Sequence, residues 1–277
     1  MFNLLSKLKL KPQQLLFLPY LIFILLFVII PIIWIIILSF IDPHGANDTY
    51  DKFEMWKDKN FWTIFLKSFG MGFLVSLTCL VISLPYVYIL TNTKNKSLKF
   101  LMLSLIVTPL FLFTLVKILA LRGILTLIFD IPIDSVGYLY LGLVYLFLPF
   151  MIIPLYNVLN GMPKNIIQAS NDLGYNRIMT FIKVVIPYGL KAICSGIIVV
   201  FILVIMSVAV SNKLLDNSAG NQMIGNIIND LSNPSNPFDM QKASSIVLIS
   251  LLGTSVVYFA ISAIPMIYRK IKGGIND

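Results

Sequence analysis

The sequence predicts an all-α membrane protein of six transmembrane helices, with a cytoplasmic helix–turn–helix connector between spans 4 and 5. Three observations lead there. Of the 277 residues, 58% are hydrophobic and only 12% charged, for a mean hydropathy of +0.90, whereas a soluble domain carries roughly 45–50% apolar and about 25% charged residues. The apolar residues gather in runs long enough to cross a bilayer, which takes about 20 residues of helix. Lys and Arg fall unequally on alternate connectors, as they do when a bilayer sorts them.

Span 1 is expected over about 15–40. A basic start precedes it, but the run is too long for a signal-peptide core and lacks a small-residue cleavage site. Span 2 covers about 63–91, span 3 about 100–121 and span 4 about 138–158. Span 5 covers about 190–211 and span 6 about 243–268. Residues 1–14 and 269–277 are then short tails, and 15–268 is one membrane domain that includes the 159–189 connector. No connector is long enough to hold a soluble domain.

Orientation follows from the basic residues. Lys7, Lys9 and Lys11 precede span 1; Lys94, Lys96 and Lys99 follow span 2; Lys164, Arg177, Lys183 and Lys191 lie between spans 4 and 5; Arg269, Lys270 and Lys272 end the chain. The alternate connectors hold fewer: Lys52, Lys57, Lys59, Arg122, Lys213 and Lys242. This bias puts both termini and the 159–189 loop in the cytoplasm. An even span number agrees. Most of the acidic residues, among them Asp42, Glu54, Asp130 and Asp216, fall on the outer side. The net charge of +9 sits beside apolar runs, so it reports membrane orientation rather than nucleic-acid binding.

Catalytic patterns are absent from the sequence. There is no GxxxxGK[ST] phosphate loop, no metal-ligand spacing of Cys and His, and no Ser nucleophile elbow. The single histidine, His44, sits in a turn beside Pro43 and Gly45. Cys79 and Cys194 each lie inside an apolar run and are expected to be buried small hydrophobes. No carboxylate pair lies in a span, so acid–base chemistry and ion coupling have no evident home.

The polar stretch QASNDLGYNRIMTFIKVVIPYG, residues 168–189, interrupts this pattern. Gly161 suits the C-terminal end of span 4, where a positive φ costs glycine little. Pro163 suits the first turn of a new helix. That helix places Ile166, Ala169, Ser170 and Leu173 on one face. Gly174 stops it, and Asn176 caps a second helix whose apolar positions are Ile178, Met179, Phe181, Ile182 and Val185. Pro187 marks the turn into span 5. The small residues Ala169 and Ser170 would let another surface approach the backbone. The apolar faces could instead lie on the membrane or pack under the chain's own spans.

This stretch resembles the EAA loop in permease subunits of bacterial ABC importers. Their pattern is Glu-Ala-Ala, three residues, Gly, nine residues, Ile, one residue, Leu-Pro. Here Gln168, Ala169, Ser170, Gly174, Val184, Ile186 and Pro187 keep the spacing throughout. Gln168 replaces the leading Glu and removes its charge; Ser170 keeps the small size. Residues 142–163 and 108–125 look like spans 4 and 3 of spermidine/putrescine permeases, with Lys117 standing where an arginine is usual. Residues 211–230 resemble their outer loop, and 236–244 match only loosely. The likeness covers about residues 100–245, and the first two spans by hydropathy alone.

The resemblance implies an importer permease fold and a subunit without catalysis of its own, in a bacterial cell membrane. It implies a second permease subunit, giving a heterodimer that forms the path. Two copies of a P-loop ATPase would bind ATP and Mg, so this chain would carry no cofactor. A substrate-binding protein outside the membrane would deliver the cargo. Gln168, Ala169, Ser170, Leu173, Gly174, Ile186 and Pro187 would form the ATPase-coupling loop. Lys117 and Tyr145 are candidates for the translocation path. Lys117 has two readings, a lysine that snorkels to the interface or one that lines the path or pairs with a partner. The same loop serves permeases for phosphate, sulfate, thiamine or iron, which stay open as alternatives, as does an ATP-independent secondary transporter.

Overall fold

A computed structural model describes residues 18–42, 51, 53–129, 136–208, 210–211 and 222–273. The expectations for residues 1–14, His44, residues 212–221 of the outer loop and residues 274–277 fall outside them. The elements are α1 (Leu18–Phe40), α2 (Glu54–Lys57), α3 (Lys59–Asn92), α4 (Lys96–Phe111), α5 (Thr114–Phe129), α6 (Val136–Asn160), α7 (Lys164–Asp172), α8 (Arg177–Tyr188), α9 (Leu190–Ile205), α10 (Ile224–Leu231) and α11 (Pro237–Gly273). Among the described residues, α1, α3, α6 and α11 are each long and apolar enough to cross a membrane, and the bent pairs α4–α5 and α8–α9 would raise the number to six if each were one span.

Two expectations are corrected, the continuity of span 3 and the end of span 5. Span 3 was expected as one helix over 100–121, but it breaks at Leu112 and Phe113, and its halves meet at 107°. Pro109 sits in the last turn of α4. It donates no backbone hydrogen bond and crowds the carbonyl four residues back, which weakens the helix just before the break. Span 5, expected over 190–211, is one helix only to Ile205 and meets α8 at 71° across Gly189. Hydropathy misses the first break because the apolar run continues through it, while the bend at Gly189 stands where Pro187 marked the turn into span 5.

Proline also sets the local pitch. In α1, residues 25–29 form a π-helical stretch closed by the Ile30 N–H on the Leu25 carbonyl, and Pro31 follows. In α8, residues 181–185 do the same, with the Ile186 N–H on Phe181 and Pro187 following. Widening the turn ahead of the ring relieves its clash with the preceding carbonyls. Caps start the other helices. The Asp58 carboxylate accepts the Asn60 N–H at 2.9 Å to open α3, and the Asn95 side chain accepts the Ser97 N–H at 3.0 Å to open α4.

The chain divides into two compact units. In the first, residues 18–57 with 231–251, the end of α1 meets the start of α11. Buried Ser39 donates to the Ser245 hydroxyl at 3.2 Å, and Gln241 donates to the Ser39 carbonyl at 3.0 Å. Lys242 pairs with Glu54 at 3.4 Å. At the exposed Asp51, the Lys57 ammonium and then the Phe53 N–H hold the carboxyl below its usual range.

The second unit, residues 58–230 with 252–273, holds the core. There α3, α6 and α9 pack against one another through Val75, Cys79, Leu143, Met151, Leu155, Val200 and Val204, all fully or nearly fully buried. Small residues allow the close crossings. A Cβ on Gly72 would stand 2.9 Å from the Phe201 ring, and one on Gly196 would stand 2.6 Å from the Met151 sulfur. Thr78 and Tyr140 share a 2.6 Å hydroxyl hydrogen bond between α3 and α6. Cys79 and Cys194 are free and buried, as their apolar surroundings predict.

Candidate functional site

The connector between α6 and α9 is a helix, a glycine turn and a second helix. Helix α6 ends at Asn160. The expected positive φ at Gly161 is not adopted: a turn closed by the Met162 N–H on the Leu159 carbonyl, at 3.2 Å, leads into Pro163, so the chain reverses without a left-handed residue there. Among the described residues, Gly174 is the glycine with positive φ, +82°. Around it the Tyr175 N–H bonds the Ser170 carbonyl at 3.2 Å and the Gly174 N–H bonds the Asn171 carbonyl at 2.9 Å. This is the paired closure of a helix end that a left-handed glycine permits. Asn176 then caps α8, its side-chain oxygen accepting the Met179 N–H at 2.8 Å.

The two short helices are locked together by Ser170 and Thr180, both buried, whose hydroxyls lie 2.9 Å apart. This corrects the expected face of α7. Ser170 turns inward beside the half-buried Ile166 and Ile167, while Ala169, Gln168 and Leu173 point outward. The one-face reading grouped residues by helical spacing, and the packing of α7 on α8 splits that group. On α8, Val185 is buried and the Phe181 ring meets Tyr88 of α3 with centroids 5.1 Å apart and planes tilted by 59°. Lys183 holds its ammonium 5.0 Å from the Tyr175 ring.

What remains outside is apolar. Leu173 is 76% exposed, Ile178 72% and Ile182 55%, with Met179 beside them. These side chains flank the Gly174 turn and stay exposed among the described residues. Ile186 and Pro187 are half-buried where α8 bends into α9. Next to the connector, a cleft of about 430 Å³ opens between the end of α3, the start of α4 and α7, lined by Lys94, Lys96, Lys99 and Lys164 with no carboxylate among its residues. Lys99 donates to the Asn160 side chain at 3.1 Å across it.

The two path candidates lie apart from the connector. Lys117 stands in the first turn of α5, just past the break, and is only 9% exposed. Its neighbour Ile118 joins the core cluster with Leu139 and Leu143 of α6. Tyr145 is 42% exposed and borders a cleft of about 230 Å³ with Tyr86, Leu105, Pro109 and Pro149, where α3, α4 and α6 meet. Lys117 is not among the residues of that cleft. Sequence reading missed the Ser170–Thr180 lock and the basic cleft. Two hydroxyl residues flanking Gly174 were visible, but their pairing depends on how the helices fold back. The cleft draws its lysines from two helices and the linker between α3 and α4.

Comparison with known proteins agrees with this architecture. Residues 87–270 match the model of the family described as binding-protein-dependent transport system inner membrane component. A spermidine/putrescine transport system permease protein PotB homolog from Mycoplasma genitalium is 34% identical, over 94% of this chain and 94% of that protein. The spermidine/putrescine transport system permease protein PotB of Escherichia coli K12 is 28% identical, over 84% and 91%. Among solved structures, a chain of a bacterial ABC transporter involved in the import of the acidic polysaccharide alginate aligns with a TM-score of 0.70 at 11% identity, covering 92% of this chain and 94% of that one. A chain of the MetNI methionine ABC transporter in an inward-facing conformation aligns with a TM-score of 0.61 at 16% identity, covering 78% and 98%. At such identities the structures speak for the fold, and the sequence matches speak for descent: the chain belongs to the family of binding-protein-dependent transport system inner membrane components.

Proposed function

We propose that this chain is one of two permease subunits of an ATP-driven importer of polyamines, spermidine and putrescine, and that its 159–189 connector transmits the work of a separate ATPase. The substrate assignment rests on relatives that carry that name over nearly the whole chain. Counting each bent pair as one span gives six. With the lysine and arginine bias, both termini and the connector then lie on the cytoplasmic side. A second permease completes the path, two P-loop ATPases bind ATP and Mg below it, and a binding protein delivers substrate from outside.

The observation that carries the coupling role is the exposed apolar set Leu173, Ile178 and Ile182 around a rigid glycine turn. Such a patch calls for a partner surface. Gln168, Ala169 and Gly174 offer a low profile beside it, while Ser170 acts from inside by joining the helices. Ile186 and Pro187 carry the connector into α9, so a pull on the patch reaches the spans. ATP shifts the cycle only through its different affinity for the two states of the assembly. Tyr145 presents an aromatic face suited to a cation. Lys117 repels one, so its place on the path is as a support or barrier rather than a ligand.

A Leu173→Cys variant tests the docking. The native thiols of this chain are buried, so on this chain a bifunctional reagent reacts at position 173. Cross-linking to the ATPase subunit in membranes, lost when the ATPase is omitted, is the expected result. Efficient labelling of position 173 by a lipid-confined reagent, with no ATPase adduct, would instead mean that the connector lies on the bilayer.

A further inference from the structure

The second unit contains a groove of about 400 Å³ between α9 and α11 that the transport reading does not use. As consecutive spans of one chain, α9 and α11 cross a bilayer in opposite directions. Lys191, in the first turn of α9, therefore faces the same end as Arg269, near the end of α11. Below them the walls are mostly apolar, with Ile198 and Val199 on one side and Tyr258 and Met266 on the other, and Ser195 and Ser262 also in the lining. From Lys191 to Val199 the groove runs about 12 Å at the helical rise of 1.5 Å per residue. No carboxylate lines it, and among the described residues neither cation has an ion-pair partner.

We propose that this groove is a binding site for an anionic phospholipid. The phosphate sits between Lys191 and Arg269, and the glycerol and upper acyl chain lie along Val199, Tyr258 and Met266. Two cations at one end and an apolar trough beyond them match a molecule that is charged at one end and oily along its length. Arginine suits this role because its fork engages two phosphate oxygens at once. A membrane-spanning helix in the same groove would bring apolar surface but leave both cations without a counter-charge, which is costly away from water. The pull of a basic residue on anionic lipid amounts to about a fivefold preference, so two give about 30-fold. The inference requires only that the chain resides in a bilayer, and holds whatever the transporter carries.

Native mass spectrometry of the detergent-purified transporter tests it, with phosphatidylglycerol, phosphatidylcholine and soluble glycerol 3-phosphate as probes. The wild-type protein is expected to retain phosphatidylglycerol over phosphatidylcholine and to ignore glycerol 3-phosphate. The double variant Lys191→Ala/Arg269→Ala should lose that preference by about 30-fold. Removing two lysines elsewhere, by Lys96→Ala/Lys164→Ala, should leave it unchanged. Val199→Trp, which fills the trough and keeps both charges, should also expel the lipid, and serves if the double variant does not fold. Equal retention of the two lipids, wild-type retention by a folded groove variant, or capture of glycerol 3-phosphate as tight as the lipid would overturn the proposal. So would a cross-link from Val199→Cys to a neighbouring subunit across the groove.

Discussion

Gly174 is the position where a small backbone change should have the largest functional effect. Its φ of +82° lies in the left-handed region, and a Cβ built there meets nothing within 4 Å. Substitution therefore adds no clash, and the only cost is backbone strain. For an L residue that cost is roughly 1–2 kcal/mol, which lowers the population of the turn by about 5–30-fold. Alanine should sit at the low end and valine at the high end, because a β-branched residue tolerates this region worst. Asparagine visits it readily and should recover most of the loss. The assay is polyamine uptake per ATP hydrolysed, with the assembled transporter in liposomes. The expected order is wild type, Gly174→Asn, Gly174→Ala, Gly174→Val, with uptake falling while hydrolysis persists. Wild-type coupling in Gly174→Val, or Gly174→Asn as poor as Gly174→Val, would refute the role of the left-handed turn.

Ser170→Ala leaves the buried Thr180 hydroxyl without its partner and should cost about 1–3 kcal/mol locally; faster hydrogen exchange across 164–180 is the readout, and Ser170→Ala/Thr180→Val should restore part of the protection. Gly72→Ile drives a side chain into Phe201, where a Cβ alone already comes within 2.9 Å; overpacking of this kind costs about 1–3 kcal/mol, measured as a lower Tm of the detergent-solubilised chain. Lys117→Ala should reduce uptake while leaving the amount of assembled transporter unchanged on blue native gels. Uptake equal to wild type would remove Lys117 from the path.

The sequence made the connector legible because its signals are local. Pro163, Gly174 and Asn176 each act within a turn of their own position, and the structure has a helix starting, a helix ending and a helix starting there. The long helices were legible as apolar runs: α1, α3 and α6 begin and end within a few residues of the expected spans. The sharp break at residues 112–113 was not, because hydropathy registers solvent preference and not backbone direction, whereas the bend before Leu190 was announced by Pro187. The orientation of Ser170 was missed for a different reason. A small residue fits a contact surface and a tight interior equally well, and only the partner hydroxyl of Thr180, brought close by the turn, decides between them. Lys117 shows the same limit. Its place near a span end left snorkelling and path lining both open, and its low exposure appears only where the helix restarts at Thr114.

The central claim is that this chain is half of a polyamine path. Radiolabelled spermidine and putrescine uptake in cells lacking the chain, with and without its return on a plasmid, tests that most directly. Loss of uptake, rescue by the returned chain, and competition by unlabelled polyamine are expected. Undiminished polyamine uptake in the deleted strain, with loss of a different solute, would contradict it.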